Sequence, residues 1–255
     1  MSGLQGLSGS HALVTGGGRG IGRAIAAALT SAGAEVTIVG RDTAALDAVV
    51  AASDAHAAIS ADVCDEVALR AALAQAAARK PIDVLIANAG AAESAPFGQS
   101  DAALFRRMLD INLMGVVYAA QAVLPGMVAQ RRGRIVVIAS TAGLKGYAYV
   151  SAYSAAKHAV IGLVRSLALE VATKGVTVNA ICPGFTDTDL VASSIENIIA
   201  KTGRNREQAV AELAKHNPQG RLVTPSEVAD AVVWLCGAGA SAVTGQAIAI
   251  AGGEI

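Results

Sequence analysis

Tyr153 and Lys157 lie four positions apart in Tyr-Ser-Ala-Ala-Lys, a spacing that lets an ammonium group act on a phenol. The segment has no proline and no internal glycine, so it is predicted to be helical with both side chains on one face. A neighbouring cation stabilises the phenolate and lowers the pKa of tyrosine from about 10, which would make the phenol a usable proton donor and acceptor near neutral pH. The same spacing also occurs on exposed helices as a solvated pair. Whether this pair does chemistry therefore depends on the elements that position it.

A strand, a glycine-rich turn and a helix follow one another near the N-terminus. The apolar run at 11–15 leads into Gly-Gly-Gly-Arg-Gly-Ile-Gly at 16–22, and a helical pattern follows at 23–32. Glycines let the backbone approach a pyrophosphate, and a helix N-terminus stabilises its charge. The spacing, Gly-x-x-x-Gly-x-Gly, differs from Gly-x-Gly-x-x-Gly, the commonest dinucleotide fingerprint. The predicted contacts to a dinucleotide in this loop are Gly16, Arg19, Gly20, Ile21 and Gly22.

Arg41 follows the second predicted strand, at the place where a residue that reads the cofactor's ribose is expected. An acidic residue there would bind the free 2′-hydroxyl of NAD(H), whereas an arginine suits the 2′-phosphate of NADP(H). Arg19 projects from the glycine loop toward the same region, so two cations could bracket one phosphate. We therefore predict NADP(H) in preference to NAD(H). The alternative is that both arginines are solvated, while Asp42 binds the ribose of NAD(H) or caps the next helix.

Strands and helical segments alternate along the chain. The predicted strands are 11–15, 35–40, 57–60, 82–87, 134–139, 175–182 and 246–251. This alternation predicts an α/β fold, a single Rossmann-like doubly wound domain over residues 1–255 with a seven-stranded parallel sheet and ligands at the carboxyl ends of its strands. Asp62, Val63, Asn88 and Gly90 lie at such ends, and Asp62 could bind the adenine amine. Capping and turn formation are the alternative roles for these residues.

Later segments supply three further features. Asn112 lies in an apolar helical stretch, where its amide either supports a kink in the backbone or holds a water molecule. Ser140 follows the fifth predicted strand, thirteen positions before Tyr153, and Pro-Gly-Phe-Thr at 183–186 follows the sixth. Residues 186–221 form a polar, partly helical insertion, which we interpret as a helical substrate lid.

The composition argues against several classes of partner. Twenty basic and twenty acidic residues balance, so no basic surface for nucleic acid or anionic lipid is expected. The three cysteines have no metal-ligand spacing, which favours reduced thiols in a cytoplasmic protein and no structural metal. The first nine residues do not read as a secretory signal.

Apolar residues make up 53% of the chain, but aromatic residues only 3%. Segments 111–130 and 231–253 are uncharged and long enough to span a bilayer, although proline, glycine and polar residues interrupt them. We interpret both as core and subunit-interface segments. The resulting predictions are no membrane association and a closed homo-oligomer, a tetramer or a dimer.

Taken together, these residues resemble the compact branch of the short-chain dehydrogenase/reductase family over essentially the whole chain. The matching pieces are Thr-Gly-x-x-x-Gly-Ile-Gly at 15–22, Asn-Ala-Gly at 88–90, Asn112, Ser140, Tyr-x-x-x-Lys at 153–157 and Pro-Gly at 183–184. The resemblance implies an enzyme, usually tetrameric, that reduces carbonyls or oxidises alcohols with NAD(H) or NADP(H). The pairing of Arg19 with Arg41 is similar to that of NADP(H)-preferring members.

The resemblance also implies a role for each site residue. Tyr153 would be the general acid toward the carbonyl oxygen, Ser140 would hydrogen-bond the same oxygen, and Lys157 would hold the nicotinamide ribose and lower the pKa of the tyrosine. Asn112 would anchor a water that links the lysine to solvent. Two hydroxyl donors at the carbonyl oxygen suit a reaction that builds negative charge there. The remaining predicted cofactor contacts are Pro183, Gly184, Thr186 and Thr188.

The segments 140–146, 153–158 and 182–185 resemble those of 3-oxoacyl-thioester reductases, including acetoacetyl-CoA and polyketide ketoreductases. The favoured prediction is the NADP(H)-dependent reduction of a ketone, with a 3-oxoacyl thioester as its candidate class, and Lys145 could then meet a phosphate of the thioester carrier. One alternative is a broad-specificity secondary-alcohol dehydrogenase or carbonyl reductase that uses NAD(H). Another is a non-catalytic dinucleotide-sensing protein.

Overall fold

Seven parallel strands form one sheet in the computed structural model, which describes residues 6–255 apart from the side chains at 190, 193, 194, 197 and 201. The strands are β1 (His11–Thr15), β2 (Glu35–Gly40), β3 (Ala57–Ser60), β4 (Val84–Ala87), β5 (Gly133–Ile138), β6 (Val176–Pro183) and β7 (Ala247–Ile250). Their order across the sheet is β3-β2-β1-β4-β5-β6-β7, and each neighbouring pair is parallel. The chain winds from β1 to one edge and then from β4 to the other, which opens a crevice between these two strands. The predicted seven-stranded parallel sheet is confirmed.

Helices cover both faces of the sheet. They are α1 (Gly20–Ser31), α2 (Thr43–Ala51), α3 (Glu66–Arg79), α4 (Ala102–Leu109), α5 (Gly115–Ala129), α6 (Ser151–Val171), α7 (Asp189–Thr202), α8 (Arg206–Ala214) and α9 (Pro225–Cys236). Buried side chains of α1, α2 and α9 form one apolar cluster with the sheet, and those of α3, α5 and α6 form another. The two clusters make the layered core of a doubly wound fold.

The helical insertion after β6 has a small apolar core of its own. Buried side chains of α7 and α8, among them Val191, Ile195 and Leu213, pack together with the partly buried Phe185. The pair therefore forms a local unit between β6 and α9 within the predicted lid segment, 186–221.

The fourth strand begins two residues later than predicted, at Val84 instead of Ile82. The backbone of Asp83 is already bonded to both neighbouring strands, since its N–H donates to the carbonyl of His11 and its carbonyl accepts the N–H of Arg134, both at 2.9 Å. Its buried carboxylate also accepts the backbone N–H of His11 at 2.9 Å and pairs with Arg132 at 2.7 Å. The difference from the prediction is therefore confined to the first residues of the strand, where a shift of one or two positions is ordinary.

A π-helical turn, Asp110–Met114, joins α4 to α5 and contains Asn112. The three pieces form one apolar run, Ala102–Ala129, which is long and apolar enough to cross a membrane by length and composition. The buried side chains of α5 pack against α3 and the sheet, in agreement with the interpretation of 111–130 as a core segment, and those of α4 pack against α6. The other apolar segment, 231–253, is divided among the end of α9, a short turn at 238–240 and β7.

Candidate active site

A cleft of roughly 640 Å³ lies at the carboxyl edge of the sheet. It contains every residue for which a cofactor or catalytic role was predicted. Those residues are Gly16, Arg19, Gly20, Ile21, Gly22, Arg41, Asp62, Val63, Asn88, Gly90, Asn112, Ser140, Tyr153, Lys157, Pro183, Gly184, Thr186 and Thr188. The cleft is large enough for an extended ligand, and such switch-point crevices are where doubly wound proteins bind nucleotides.

The glycine loop is held in a shape that side chains would prevent. Gly16 has a φ of +66°, and a Cβ there would lie 2.9 Å from the backbone of Ala89. A Cβ on Gly22 would collide with the carbonyl oxygen of Gly16. Asn88 braces the loop, since its amide donates to the carbonyls of Thr15 at 3.0 Å and Gly16 at 3.1 Å. The backbone is thus exposed to the cleft at the N-terminus of α1, a geometry that fits a pyrophosphate.

Two exposed arginines stand at the end of the cleft formed by β2 and the glycine loop. Arg19 makes no ion pair within the part of the chain that the structure describes, and Arg41 lies 3.7 Å from Asp62 in a solvent-exposed pair. The other oxygen of Asp62 accepts the backbone N–H of Cys64 at 2.9 Å. Asp42 caps α2 by accepting the N–H of Ala45 at 3.1 Å, as its capping interpretation predicts. Positive charge is therefore available where a 2′-phosphate would lie.

Tyr153 and Lys157 lie one turn apart on α6, as their spacing predicts. The ammonium lies 5.7 Å from the centre of the phenol ring, and it donates a hydrogen bond of 2.9 Å to the carbonyl of Ile138. Lys157 is almost fully buried, and this burial lowers its pKa to about 8. Desolvation disfavours a cation that has no buried counter-charge, so Lys157 loses its proton at a lower pH than an exposed lysine does.

The pKa of Tyr153 differs from the prediction. Burial raises the pKa of the phenol, and the hydrogen bond from the Ser140 hydroxyl lowers it to a smaller extent. Spacing alone predicts the opposite direction, because it describes the neighbouring cation and says nothing about desolvation. Tyr153 is therefore a protonated phenol at neutral pH in this structure.

Ser140 lies next to the phenol at the end of β5. It caps a short helical turn at 141–143, where its hydroxyl oxygen accepts the backbone N–H of Ala142 at 3.1 Å. That contact fixes the oxygen and leaves the hydroxyl hydrogen to donate toward Tyr153 or a ligand oxygen. The serine is thus oriented by its own turn.

Asn112 is held in the π-helical turn by its amide nitrogen, which donates to the carbonyls of Ala91 at 2.9 Å and Met108 at 3.0 Å. Its amide oxygen is buried and has no hydrogen-bond partner among the described residues. A Cβ on Gly90 would lie 2.7 Å from that oxygen and 3.6 Å from the Lys157 ammonium nitrogen. The glycine therefore leaves the asparagine oxygen and the lysine ammonium facing the same small polar space. The predicted backbone irregularity at Asn112 takes the form of a π-helical turn, which its amide nitrogen braces.

The loop after β6 forms the opposite wall. Thr186 donates from its hydroxyl to the carbonyl of Gly184 at 3.0 Å, and Thr188 donates to the carbonyl of Thr186 at 3.2 Å. Pro183 ends the strand beside them. These internal bonds set the shape of the loop that faces the glycine turn.

Three cations outside the cleft are engaged in ion pairs. Lys145, expected to meet a phosphate, lies 3.0 Å from the buried carboxylate of Glu254, and Arg204 and Lys215 both pair with Glu212 at 2.7 Å. Arg204 and Lys215 are thus engaged in ion pairs on the surface of the helical insertion. Glu254 was not identified from the sequence, since a single acid in a Gly-Gly-Glu-Ile terminus carries no recognisable pattern.

Comparison with known proteins assigns the family. The sequence profile of the short chain dehydrogenases matches residues 10–199. Cis-4-hydroxycyclohexanecarboxylate dehydrogenase of Sinomonas cyclohexanicum is 40% identical over 247 residues, with 95% of each chain covered. A solved actinorhodin polyketide ketoreductase with NADPH is similar at a TM-score of 0.92 and 36% identity, over 96% of this chain and 97% of that one. Levodione reductase is similar at a TM-score of 0.91 and 34% identity, over 97% and 98% of the two chains. This chain belongs to the short-chain dehydrogenase/reductase family and is an NAD(P)-dependent oxidoreductase that interconverts a ketone and a secondary alcohol in a small-molecule substrate.

Proposed function

We propose that the protein is an NADPH-dependent ketone reductase with 3-oxoacyl thioesters as its substrate class. The observation that carries this proposal is the convergence of Ser140, Tyr153, Lys157 and Asn112 at one end of a cleft whose other end has a glycine loop and two arginines. The similarity to a polyketide ketoreductase with NADPH supports both the cofactor and the substrate class.

In this proposal the bound dihydronicotinamide supplies a hydride to the carbonyl carbon. Tyr153 donates its proton to the oxygen that gains negative charge, and Ser140 donates a hydrogen bond to the same oxygen. Both interactions are stronger in the transition state than in the substrate, which is the requirement for catalysis. Lys157 binds the ribose and returns a proton to the phenol, and Asn112 holds the water through which that proton is replaced. A pKa near 8 suits Lys157 to this transfer at neutral pH.

The test of the reaction is loss of NADPH absorbance with acetoacetyl-CoA and with a panel of small ketones. Tyr153→Phe should lower kcat by about 10²- to 10⁴-fold, since it removes the general acid. The matched control is Tyr118→Phe, a partly buried tyrosine of α5 in the main core and outside the cleft, which should retain activity. Turnover that survives in Tyr153→Phe would refute the assigned role.

The preference for NADP(H) is tested at Arg41. Loss of a charge-assisted contact of ~1.5–3 kcal/mol should lower kcat/KM with NADPH about 10- to 100-fold in Arg41→Ala, with little change for NADH. Arg23→Ala is the control, because Arg23 pairs with Asp54 at 2.8 Å outside the cleft. A wild-type enzyme that is more efficient with NADH would overturn the assignment and favour Asp42 or Asp62 as the group that binds the ribose.

A second candidate function has its own support. This candidate is a broad-specificity carbonyl reductase or secondary-alcohol dehydrogenase that uses NAD(H), and the similarity to cis-4-hydroxycyclohexanecarboxylate dehydrogenase and to levodione reductase supports a substrate that is not a thioester. The pairing of Lys145 with Glu254 also leaves one cation fewer for a carrier phosphate. Higher kcat/KM for cyclic ketones than for acetoacetyl-CoA would select this candidate, and bound cofactor without turnover of any substrate would select a dinucleotide sensor.

We further propose a cytoplasmic homotetramer in which residues 186–221 close over the substrate. Three free cysteines support a reducing compartment, and exposed apolar side chains on α6 and α9, Leu169 and Trp234, support subunit contacts. Light scattering coupled to size-exclusion chromatography measures the oligomeric state directly, and a monomer would refute this part of the proposal.

A further inference from the structure

Glu254 is a buried carboxylate outside the cleft, with only 2% of its side chain exposed. One of its oxygens accepts a hydrogen bond of 2.5 Å from the Tyr147 hydroxyl and lies 3.0 Å from the Lys145 ammonium. The imidazole of His216 is 3.8 Å from the same oxygen. A buried carboxylate needs such partners, because burial of an unpaired charge is costly, whereas Lys145 and His216 are themselves 37% and 45% exposed. The ketone reduction proposed above makes no use of this group.

The first connection from Glu254 leads to the catalytic serine. The Tyr147 hydroxyl has a single hydrogen, which it donates to the carboxylate, so the bond of 2.7 Å between Tyr147 and Thr141 must be donated by the threonine. Thr141 is the residue after Ser140 in the turn that the serine caps. The carboxylate thus orients the tyrosine, and the tyrosine holds the turn that positions the serine hydroxyl.

The second connection leads to the wall formed by the loop after β6. A Cβ on Gly184 would lie 3.2 Å from the second oxygen of Glu254, so the glycine makes room for the carboxylate. The ring of Tyr147 contacts Phe185 edge-on at 6.1 Å and His216 at 5.7 Å between centroids. Both rings belong to the segment that leads into and out of α7 and α8.

The terminal segment that carries Glu254 is itself docked on this insertion. Gly252 has a φ of +60°, and a Cβ there would collide with the side chain of Asn217, while a Cβ on Gly253 would lie 3.6 Å from Pro218. The C-terminus therefore packs closely against residues 216–218, and its carboxylate enters between them and the serine turn.

We propose that Glu254 is a positioning residue for the ketone substrate: through Tyr147 it holds the Ser140 turn and the base of the helical insertion in one fixed arrangement. The carboxylate does not touch the reacting atoms. It determines where the serine hydroxyl lies relative to the insertion, and so which face of a prochiral ketone is presented for reduction. This inference concerns the geometry of the site and rests on the proposed ketone reduction only for its catalytic readout.

The first test does not depend on turnover. Hydrogen–deuterium exchange is measured on wild-type protein, Glu254→Gln and Glu254→Ala, at amides in 140–147 and 214–218. We expect Glu254→Ala to speed exchange in both segments about 10-fold, because a buried donor and a cation lose their acceptor, and Glu254→Gln to have a smaller effect, since an amide oxygen still accepts from Tyr147. Glu212→Gln is the matched control, an exposed carboxylate of α8 with two cationic partners and no link to the serine turn. Equal exchange at 140–147 in Glu254→Ala and Glu212→Gln would overturn the proposal; the comparison uses this segment because Lys215, a partner of Glu212, lies within 214–218.

The second test uses the enantiomer ratio of the alcohol formed from a prochiral ketone. A ratio reports only on active molecules, so partial unfolding does not change it. Glu254→Ala should shift the ratio at least about 5-fold, while the Kd for NADPH changes less than about 2-fold. Tyr147→Phe, which keeps the carboxylate and its lysine, should shift it in the same direction, and adding Glu254→Ala to Tyr147→Phe should have little further effect.

The outcomes of the two tests are separable. A wild-type protein without ketone reduction would refute the proposed function, and hydrogen exchange would still decide the role of Glu254. An unchanged enantiomer ratio in Glu254→Ala, or additive effects of the two substitutions, would show that the carboxylate does not act through Tyr147.

Discussion

Replacement of Lys157 by methionine separates the stability of the site from its function. In this structure the ammonium is buried, with only the carbonyl of Ile138 as hydrogen-bond acceptor among the described residues, and its pKa is lowered to about 8. A methionine of similar length would fill the same space without a charge. Lys157→Met should therefore abolish reductase activity, while it removes from the folded state the free-energy cost of a buried ammonium.

The free-energy cost of burying the ammonium follows from the lowered pKa of Lys157. A pKa of about 8 in place of 10.5 corresponds to ~3 kcal/mol of unfavourable burial at one pKa unit per ~1.36 kcal/mol. The lost hydrogen bond to Ile138 offsets part of this gain by ~1–3 kcal/mol. The net effect at neutral pH is therefore small, and the diagnostic quantity is its dependence on pH.

The direction of that dependence is defined by linkage. Below pH 8 the lysine is protonated in both the folded and the unfolded chain, so the full penalty is present. Between pH 8 and 10.5 the folded protein loses its proton first, and the wild-type free energy of unfolding rises with pH relative to that of the variant. The difference, variant minus wild type, should thus fall by about 2–3 kcal/mol between pH 7 and pH 10.

Urea unfolding of both proteins at several pH values measures this difference. Alkaline pH also affects both proteins through other groups, such as Cys236, whose pKa is raised to about 12 by burial, and subtraction removes that common effect. Lys174→Met is the control, since Lys174 is an exposed lysine on the turn after α6. A difference that stays constant with pH for Lys157→Met would refute the desolvated lysine.

Three further predictions follow from the same geometry. Gly22→Ala should abolish cofactor binding and lower Tm, because the new Cβ would collide with backbone atoms of the glycine loop. The control is Gly162→Ala, on α6 with open space around it, which should keep cofactor binding and raise the free energy of unfolding by ~0.5–1 kcal/mol. Fluorescence titration measures the binding and thermal melts measure the stability, and normal binding by Gly22→Ala would contradict the tight loop. Glu227→Gln should lower the free energy of unfolding by about 1 kcal/mol at pH 7, because the Glu227 carboxylate pairs with Arg221 and caps α9, and its pKa is lowered to about 2. This loss of stability should vanish as the pH falls from 4.5 to 2. A loss that persists in acid would exclude the charge as its cause. Burial raises the pKa of Tyr153. Alcohol oxidation needs the phenolate and ketone reduction needs the phenol, so kcat for oxidation should reach its maximum at a higher pH than kcat for reduction. Coincident pH profiles in the two directions would argue against Tyr153 as the shared acid and base.

The sheet was predictable because its signals are local. Alternating apolar strands and helices, with glycines at 16–22, define a parallel sheet and place its ligand edge. The same reasoning placed the start of β4 two residues too early, because the buried apolar pattern already includes Ile82. Local pattern identifies an element more closely than it fixes the first residue of that element.

The site residues were predictable in position but not in electrostatics. A spacing of four on a helix brings Tyr153 beside Lys157 in any α-helix, so their proximity needed no tertiary information. Their pKa values depend on how much solvent the rest of the fold removes, and the pKa of the tyrosine depends also on its hydrogen bond with the Ser140 hydroxyl. The pairing of Lys145 with Glu254 joins residues more than a hundred positions apart, and no local signal predicts it.

Desolvation acts on the two groups in opposite senses, and this explains the resting state of the site. It raises the pKa of the Tyr153 phenol and lowers that of the Lys157 ammonium, so it disfavours a phenolate–ammonium pair and favours a neutral phenol. A neutral phenol is the form that donates a proton to an alkoxide, whereas alcohol oxidation requires the phenolate to be formed first. The Ser140 hydroxyl opposes this bias, because it donates to the phenolate and lowers the same pKa. The protonation state of the phenol is therefore set by the balance between burial and one serine hydroxyl, and the turn that holds this hydroxyl is tied through Thr141 and Tyr147 to Glu254 at the far end of the chain.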